Sequence, residues 1–271
     1  DLKHWRAESR GLWIIYIPKN RVRIDDYPAI RNWLLPFKEK LEKRVTKQEW
    51  FELQQAQEAF VPAMEARKIG YIDMAMTPSF SLQSKGEYYA NTAYFIPSQD
   101  AFLLALMNSP IGWFVWGGFA AIARGGVRRL FTQHIEKTPI PLATTPQKAD
   151  LAAMADAAQA AAEKRYELQQ AITRRIPDLA ANPDTAKLSA KLKEWWNLPD
   201  FAAFHKEVEK ALKARIPLQE RNDWENWITT SRAEIHALTA EIARLEAEIN
   251  AKVYALFDLT PEEIALLEAN A

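Results

Sequence analysis

Three arginines and two glycines stand together at Arg124-Gly125-Gly126-Val127-Arg128-Arg129, with Gln133 close behind. Guanidinium groups offer planar donors that match phosphate oxygens or the O6/N7 edge of guanine, and a glutamine amide can pair with an adenine edge. Adjacent glycines let the backbone turn sharply and approach a partner closely. The same run also fits a Gly-Gly helix cap whose arginines neutralise exposed carbonyls. A second basic loop is Lys19-Asn20-Arg21-Val22-Arg23. A third group, Lys38, Lys40, Lys43, Arg44 and Lys47, is diluted by Glu39, Glu42 and Glu49 and reads equally as a salt-bridged helix face. Residues of this kind grip a nucleic-acid backbone and set its position without reading sequence. Trp50, Phe51, Tyr88, Tyr89 and Tyr94 can stack on a base, but aromatic residues mostly form core.

The remaining polar residues make no catalytic set. His4, His134, His205 and His236 are scattered without metal-ligand spacing. Pro177-Asp178 and Pro183-Asp184 lack the acidic-x-Lys partner of a metal-dependent nuclease, and paired carboxylates occur only on solvated helix faces. The chain has no Cys, which excludes disulfides and thiolate metal sites and favours a reducing cytoplasm. By itself it is expected to carry no catalytic residue, no metal and no cofactor.

The elements that must position these residues fall into two textures. Up to about Leu142, short β-like runs (residues 12–17, 68–74 and 92–96) alternate with helical segments. Residues 27–44 have helical spacing interrupted by Pro36, and residues 100–108 and 110–123 predict two more helices. Thr138-Pro139-Ile140-Pro141 closes this half. Beyond it, Leu151, Met154, Ala158, Ala161, Arg165, Leu168 and Ile172 alternate spacings of three and four, as do Trp224, Ile228, Ser231, Ile235, Leu238, Ile242, Leu245 and Ile249. That repeat specifies a coiled-coil seam. The expectation is an α+β domain over 1–142, followed by an all-α segment over 143–271. The latter is an antiparallel coiled-coil hairpin carrying a small helical insertion at about 180–215. Thr260-Pro261-Glu262-Glu263 reads as the capped start of a terminal helix.

Charge divides along the same line. Residues 1–140 hold 19 Lys and Arg against 14 Asp and Glu, and residues 141–271 hold 16 against 21. The zero net charge is thus an average of a basic half and an acidic half. The most apolar segment, residues 111–122, is too short to span a membrane and is broken by Gly117 and Gly118. The opening Asp1-Leu2-Lys3 reads like the interior of a longer protein, so the chain is taken as a fragment.

The order of these pieces carries a resemblance. Tyr27-Pro28-Ala29-Ile30, Leu35-Pro36-Phe37-Lys38, Leu41-Glu42-Lys43-Arg44 and Trp50-Phe51-Glu52-Leu53-Gln54 come first. Then follow Lys68-Ile69, Asn91-Thr92-Ala93-Tyr94-Phe95-Ile96, Leu106-Met107-Asn108-Ser109, the Gly-Gly loop, Thr138-Pro139-Ile140-Pro141, and the tail from Asp223-Trp224 to Thr260-Pro261-Glu262-Glu263-Ile264. The whole resembles the C-terminal specificity domain of Taq-type N6-adenine DNA methyltransferases and of fused type IIG restriction-modification enzymes. It departs where Gly70-Tyr71-Ile72-Asp73 replaces a Val/Ile-Tyr-Pro-Asp continuation and where Asn250 stands in place of an acidic residue.

The resemblance implies a sequence-reading part of a bacterial, cytoplasmic phage-defence enzyme whose N-terminal catalytic domain binds S-adenosylmethionine, flips an adenine and methylates it. Endonuclease activity in the parent is left open. The motifs of that catalytic domain are missing here, since Asn182-Pro183-Asp184 has the wrong continuation for a methyl-transfer motif. Expected partners are double-stranded DNA and the catalytic domain of the same polypeptide, not a membrane. Arg124, Gly125, Gly126, Arg128, Arg129, Gln133, Lys19, Asn20, Arg21 and Arg23 are the expected DNA contacts. Two alternatives remain: a type I restriction specificity subunit, for which no internal repeat speaks, and a coiled-coil interaction module with no role on DNA.

Overall fold

The computed structural model describes residues 1–9, 11–89, 92–123 and 125–269. Two long helices dominate it. The first, α7 (Thr145–Thr173), opens on a capping box in which Gln147 Oε1 accepts from the Thr144 amide at 2.8 Å, while Thr144 Oγ1 accepts from the Gln147 amide. The second, α10 (Arg221–Leu256), runs back along it. Lys252 Nζ meets Asp150 at 2.7 Å and Arg165 meets Thr239 Oγ1 at 3.2 Å, and that register is antiparallel. Every apolar position of the predicted seam on α10 is buried or half-buried, from Trp224 to Ile249. On α7 the small residues Ala155, Ala158 and Ala162 are fully covered, which lets α10 and the neighbouring layer come close. The predicted α+β composition and antiparallel helical hairpin are both present.

The first half folds around a three-stranded antiparallel sheet of β3 (Lys68–Ile72), β5 (Phe80–Gln83) and β6 (Ala93–Ile96) in the order β5-β3-β6. A short pair, β1 (Leu2–Lys3) and β2 (Arg6–Ala7), lies beside it, and β4 (Met74–Ala75) pairs with β7 (Arg128–Arg129). Helices α1 (Pro28–Leu34) and α2 (Lys38–Glu42) are split at Leu35-Pro36-Phe37, where Pro36 breaks the α-helical bonding. Next come α3 (Val61–Met64), α4 (Ala101–Asn108), α5 (Pro110–Gly117) and α6 (Thr132–Ile135).

One core joins the two halves. Trp5, Phe80, Leu104 and Trp116 cluster with Leu151, Ala158, Ile242, Leu245 and Ile249. Each such aliphatic side chain gains about 1.5–3 kcal/mol by leaving water. A second core belongs to the far end of the hairpin alone, where Trp195, Phe204 and Val208 meet Ile172, Ile228 and Ile235. Helices α8 (Ala190–Lys193) and α9 (Phe201–Leu212) pack there, and α11 (Pro261–Ala269) closes the chain after the predicted capping box, with Glu263 Oε2 accepting from the Thr260 amide at 2.8 Å.

Several expectations need correction. Residues 12–17 form no strand: Leu12, Trp13 and Ile14 are exposed, and although Ile17 is buried and accepts from the Leu53 amide at 2.9 Å, no strand pairs with the segment. The expected helix over 110–123 ends at Gly117, where two consecutive glycines weaken it. The strand over 68–74 is interrupted at Asp73, where β3 ends and β4 begins at Met74, although the Asp73 amide still donates to the Thr92 carbonyl at 3.1 Å in the β3-β6 register. The intervening segment of the hairpin covers 174–220 rather than 180–215, because α7 stops at Thr173 and α10 starts at Arg221. Among the described residues, no helix is long and apolar enough to cross a membrane, and no three His, Cys, Asp or Glu side chains group to hold a metal ion.

Candidate nucleic-acid interface

Sequence dictates a sharp reversal at the Gly-Gly loop. The Ala123 amide donates to the Val127 carbonyl at 2.7 Å, the Gly126 amide donates back to the Ala123 carbonyl at 3.2 Å, and Ile122 bridges Arg128. Gly125 and Gly126 take φ of +85° and +83°, backbone that L side chains adopt only under strain. Nothing lies within 4 Å of either position where a Cβ would stand, so the turn projects into solvent. The run is therefore a hairpin turn and not a helix cap. Arg124, expected as a contact, lies outside the described residues.

The two arginines beyond the turn point to different roles. Arg128 turns inward: its guanidinium lies 4.2 Å over the Trp113 ring and donates to the Trp113 carbonyl. Burial lowers its pKa, as expected for a charge pressed onto α5. Arg129 stays half exposed. It lies 4.7 Å over the Phe131 ring and 3.4 Å from the carboxylate of the nearly buried Asp73. Those two contacts restrict the side chain, and among the described residues only one of its guanidinium nitrogens, Nη2, has a hydrogen-bond partner. Gln133 is exposed on α6, within 3.4 Å of His134 Nε2. Arg129 thus stands next to the protruding turn on β7, which pairs with β4, and Gln133 follows on α6, which His134 Nδ1 ties to the Arg129 carbonyl at 3.0 Å.

Two further features of this edge escaped the sequence reading. Lys137, four residues past Gln133, holds its ammonium 4.1 Å over the Phe119 ring. Met74, Met76, Phe119 and Ile122 are all exposed around the turn. Lys137 follows Gln133 at helical spacing, which was a usable signal; the apolar rim had none, since it is assembled from two segments distant in sequence, 74–76 and 119–122.

The 19–23 loop is tied elsewhere. Asn20 adopts left-handed backbone, and its amide donates to Glu52, a carboxylate almost wholly buried. Lys19 Nζ donates to the Lys47 carbonyl at 2.6 Å, and Arg21 pairs with Glu58 at 3.2 Å. Arg23 is exposed and has no ion pair among the described residues. These bonds attach the loop to residues 47–58, along a shallow depression lined by Asn20, Arg23, Phe51 and Glu52. The third basic group is largely an internal ion-pair face: Lys38 meets Glu42 at 3.6 Å, Lys43 meets Glu39 at 3.0 Å, and Arg44 bonds the Leu41 and Trp50 carbonyls.

The candidate aromatics are mainly structural. Tyr94 stacks on Tyr71 at 5.7 Å and Tyr89 on Phe95 at 6.0 Å. The Tyr88 hydroxyl donates to Glu65 at 2.6 Å, and that bond, reinforced by burial, pushes its pKa up to about 12.

With this geometry in place, one comparison locates a recognisable module. A family model described as a domain of unknown function (DUF8810) matches residues 144–253. The match begins at the cap of α7 and ends three residues before the end of α10, so it covers the hairpin and its far end and leaves the Gly-Gly edge outside. No curated protein matches the chain.

Proposed function

We propose that this chain reads DNA sequence, as the C-terminal specificity part of an S-adenosylmethionine-dependent N6-adenine methyltransferase or type IIG restriction-modification enzyme. The observation that carries the reading is the solvent-projecting Gly125-Gly126 turn with Arg129 next to it and Gln133 exposed on α6. A protruding turn can enter a groove, where an arginine recognises guanine and a glutamine adenine, each good bidentate contact giving about 1–3 kcal/mol of discrimination. Lys137 adds positive charge at the same edge for phosphate contact. The 19–23 loop, on its own part of the surface, contributes Arg23 and Arg21 to the backbone. Catalysis, cofactor and base flipping belong to the partner domain of the same polypeptide.

The test is methylation mapping in cells that express the full-length polypeptide with and without changes at this edge. The expected result is N6-methyladenine at one short motif, relaxed or lost with Arg129→Ala and Gln133→Ala. Absence of any modified adenine, or an unchanged motif and rate in both variants, overturns the reading.

A second reading, protein docking by the helical hairpin, is favoured by one feature. Ala243, Ala247, Ala251 and Ala255 form an exposed small-residue stripe on α10, and α11 borders it to leave a groove of about 650 Å³. Both readings hold together if the hairpin seats the catalytic domain.

A further inference from the structure

Two antiparallel helices can be joined by a turn of about 2–5 residues, yet residues 174–220 separate α7 from α10 and build a globule with its own core. That globule differs from its stem in charge. Residues 174–220 carry nine Lys and Arg against seven Asp and Glu, whereas α7 and α10 together carry seven against ten. The two acids on α9 are both held by neighbours: Glu207 accepts from Ser189 Oγ at 2.8 Å, and Glu209 pairs with Arg215 at 2.7 Å.

The lysines are not engaged. Lys206, Lys210 and Lys213 follow one another at spacings of four and three, which places them on one face of α9 and its cap, and all three are exposed. Lys187, Lys191 and Lys193 are exposed on and beside α8. None of the six has an ion-pair partner among the described residues. The α9 stripe covers about 10 Å along the helix axis, the axial span of about three phosphates on one DNA strand. The rigid core beneath, with Phe204 and Val208 fully buried, fixes that spacing.

We infer that the lysine-lined end of the hairpin is a second nucleic-acid contact, gripping the phosphate backbone of the same duplex whose bases the Gly125-Gly126 edge reads. The inference rests on the DNA-reading proposal above and adds to it a backbone clamp that carries no sequence information. Because α7 has 29 residues, it stands about 43 Å from the start of that helix. The stem between is slightly acidic, seven Lys and Arg against ten Asp and Glu on α7 and α10, so the grip is confined to the lysine-lined end.

The experiment measures binding of the full-length polypeptide to a duplex bearing its methylated motif, across a salt series. Lys206→Gln, Lys210→Gln and Lys213→Gln are combined in one variant, and the matching Arg replacements in another. The Gln variant is expected to bind about tenfold weaker or worse near physiological salt, with a log–log salt slope shallower by about 2–3 and an unchanged methylated motif. The Arg variant keeps both affinity and slope. Lys210 and Lys213 also sit where positive charge offsets the helix dipole. If the Gln variant melts early, the triple change Lys187→Gln, Lys191→Gln and Lys193→Gln carries the same test with the same expectation. Unchanged affinity and slope, while the wild type binds, overturn the clamp alone. A wild type that binds no duplex overturns the clamp and the DNA-reading proposal together.

Discussion

Gln159, midway along α7, completes the edge of a strand: its Nε2 donates to the Leu82 carbonyl at 2.9 Å and its Oε1 accepts from the Leu82 amide at 2.7 Å. Asn108 does the same for Phe80, at 3.0 and 3.1 Å. Two side-chain amides thus stand in for the strand that β5 lacks on its outer side, and the edge is sealed without a fourth strand. Replacing Gln159 with Leu keeps the volume and strands two buried backbone groups. The expected loss is about 2–4 kcal/mol in urea unfolding, with faster hydrogen exchange at the Leu82 amide. A loss below about 0.5 kcal/mol would sink the idea that this amide closes the sheet.

These amides also show where the sequence stopped speaking. The period of apolar residues on α7 and α10 reports burial directly, so the hairpin and its register direction were legible. So were the Thr260-Glu263 cap and the break at Pro36, because local chemistry decides them. Strand β5 was not, since Phe80-Ser81-Leu82-Gln83 is buried at all four positions and its alternation signals no solvent face. Gln159, within an alanine-rich run, reads as a surface residue and is in fact a core one. At the candidate interface the Gly-Gly turn was visible as a motif. The inward role of Arg128 was not, because Trp113 joins it only through the fold.

Arg128 and Arg129 are expected to separate stability from recognition. Arg128→Ala removes a stacked cation and its bond to the Trp113 carbonyl, and destabilises the fold by about 1–3 kcal/mol. Its methylated motif stays as in the wild type. Arg129→Ala costs the fold about 1 kcal/mol or less, since its pair with Asp73 is long and half solvated, but it relaxes or abolishes the motif. Thermal melts set beside methylation maps decide the matter. A motif lost with Arg128 and kept without Arg129 would reverse the assignment.

The start of the chain is fastened to α10 at Glu246. Its Oε1 lies 2.8 Å from His4 Nε2 and accepts from Trp5 Nε1 at 2.8 Å, fastening the β1-β2 turn to α10. Burial raises the Glu246 pKa, but the bond and charge of His4, with Trp5 and Arg165, outweigh it and leave the carboxyl below its ordinary 4.5. A depressed folded-state pKa supplies stability that is complete above about pH 4.5 and is lost as pH falls through the folded value. Acid titration of wild type against Glu246→Gln is therefore expected to show a shallower acid limb in the variant. At neutral pH the variant should lose about 1–3 kcal/mol. Parallel acid limbs would assign the acid sensitivity to other carboxylates.

Lys68 poses the sharpest question of stability, because it is fully buried on β3. Its ammonium donates to the carbonyls of Met64 at 2.8 Å, Ser84 at 3.1 Å and Ala66 at 3.4 Å, and lies 5.5 Å over the Tyr89 ring. Burial lowers its pKa, against the opposing pull of Glu87 and Glu65. Replacing a whole buried ion pair by apolar groups is often neutral, since both charges leave together. Here only the cation can leave: the acceptors are backbone oxygens that no substitution removes. Lys68→Met, close in volume, should therefore destabilise the protein by about 2–4 kcal/mol and loosen the 64–68 and 83–86 segments to hydrogen exchange. A Met variant as stable as the wild type would mean that those carbonyls find water without distortion, and that the lysine is tolerated there and not required.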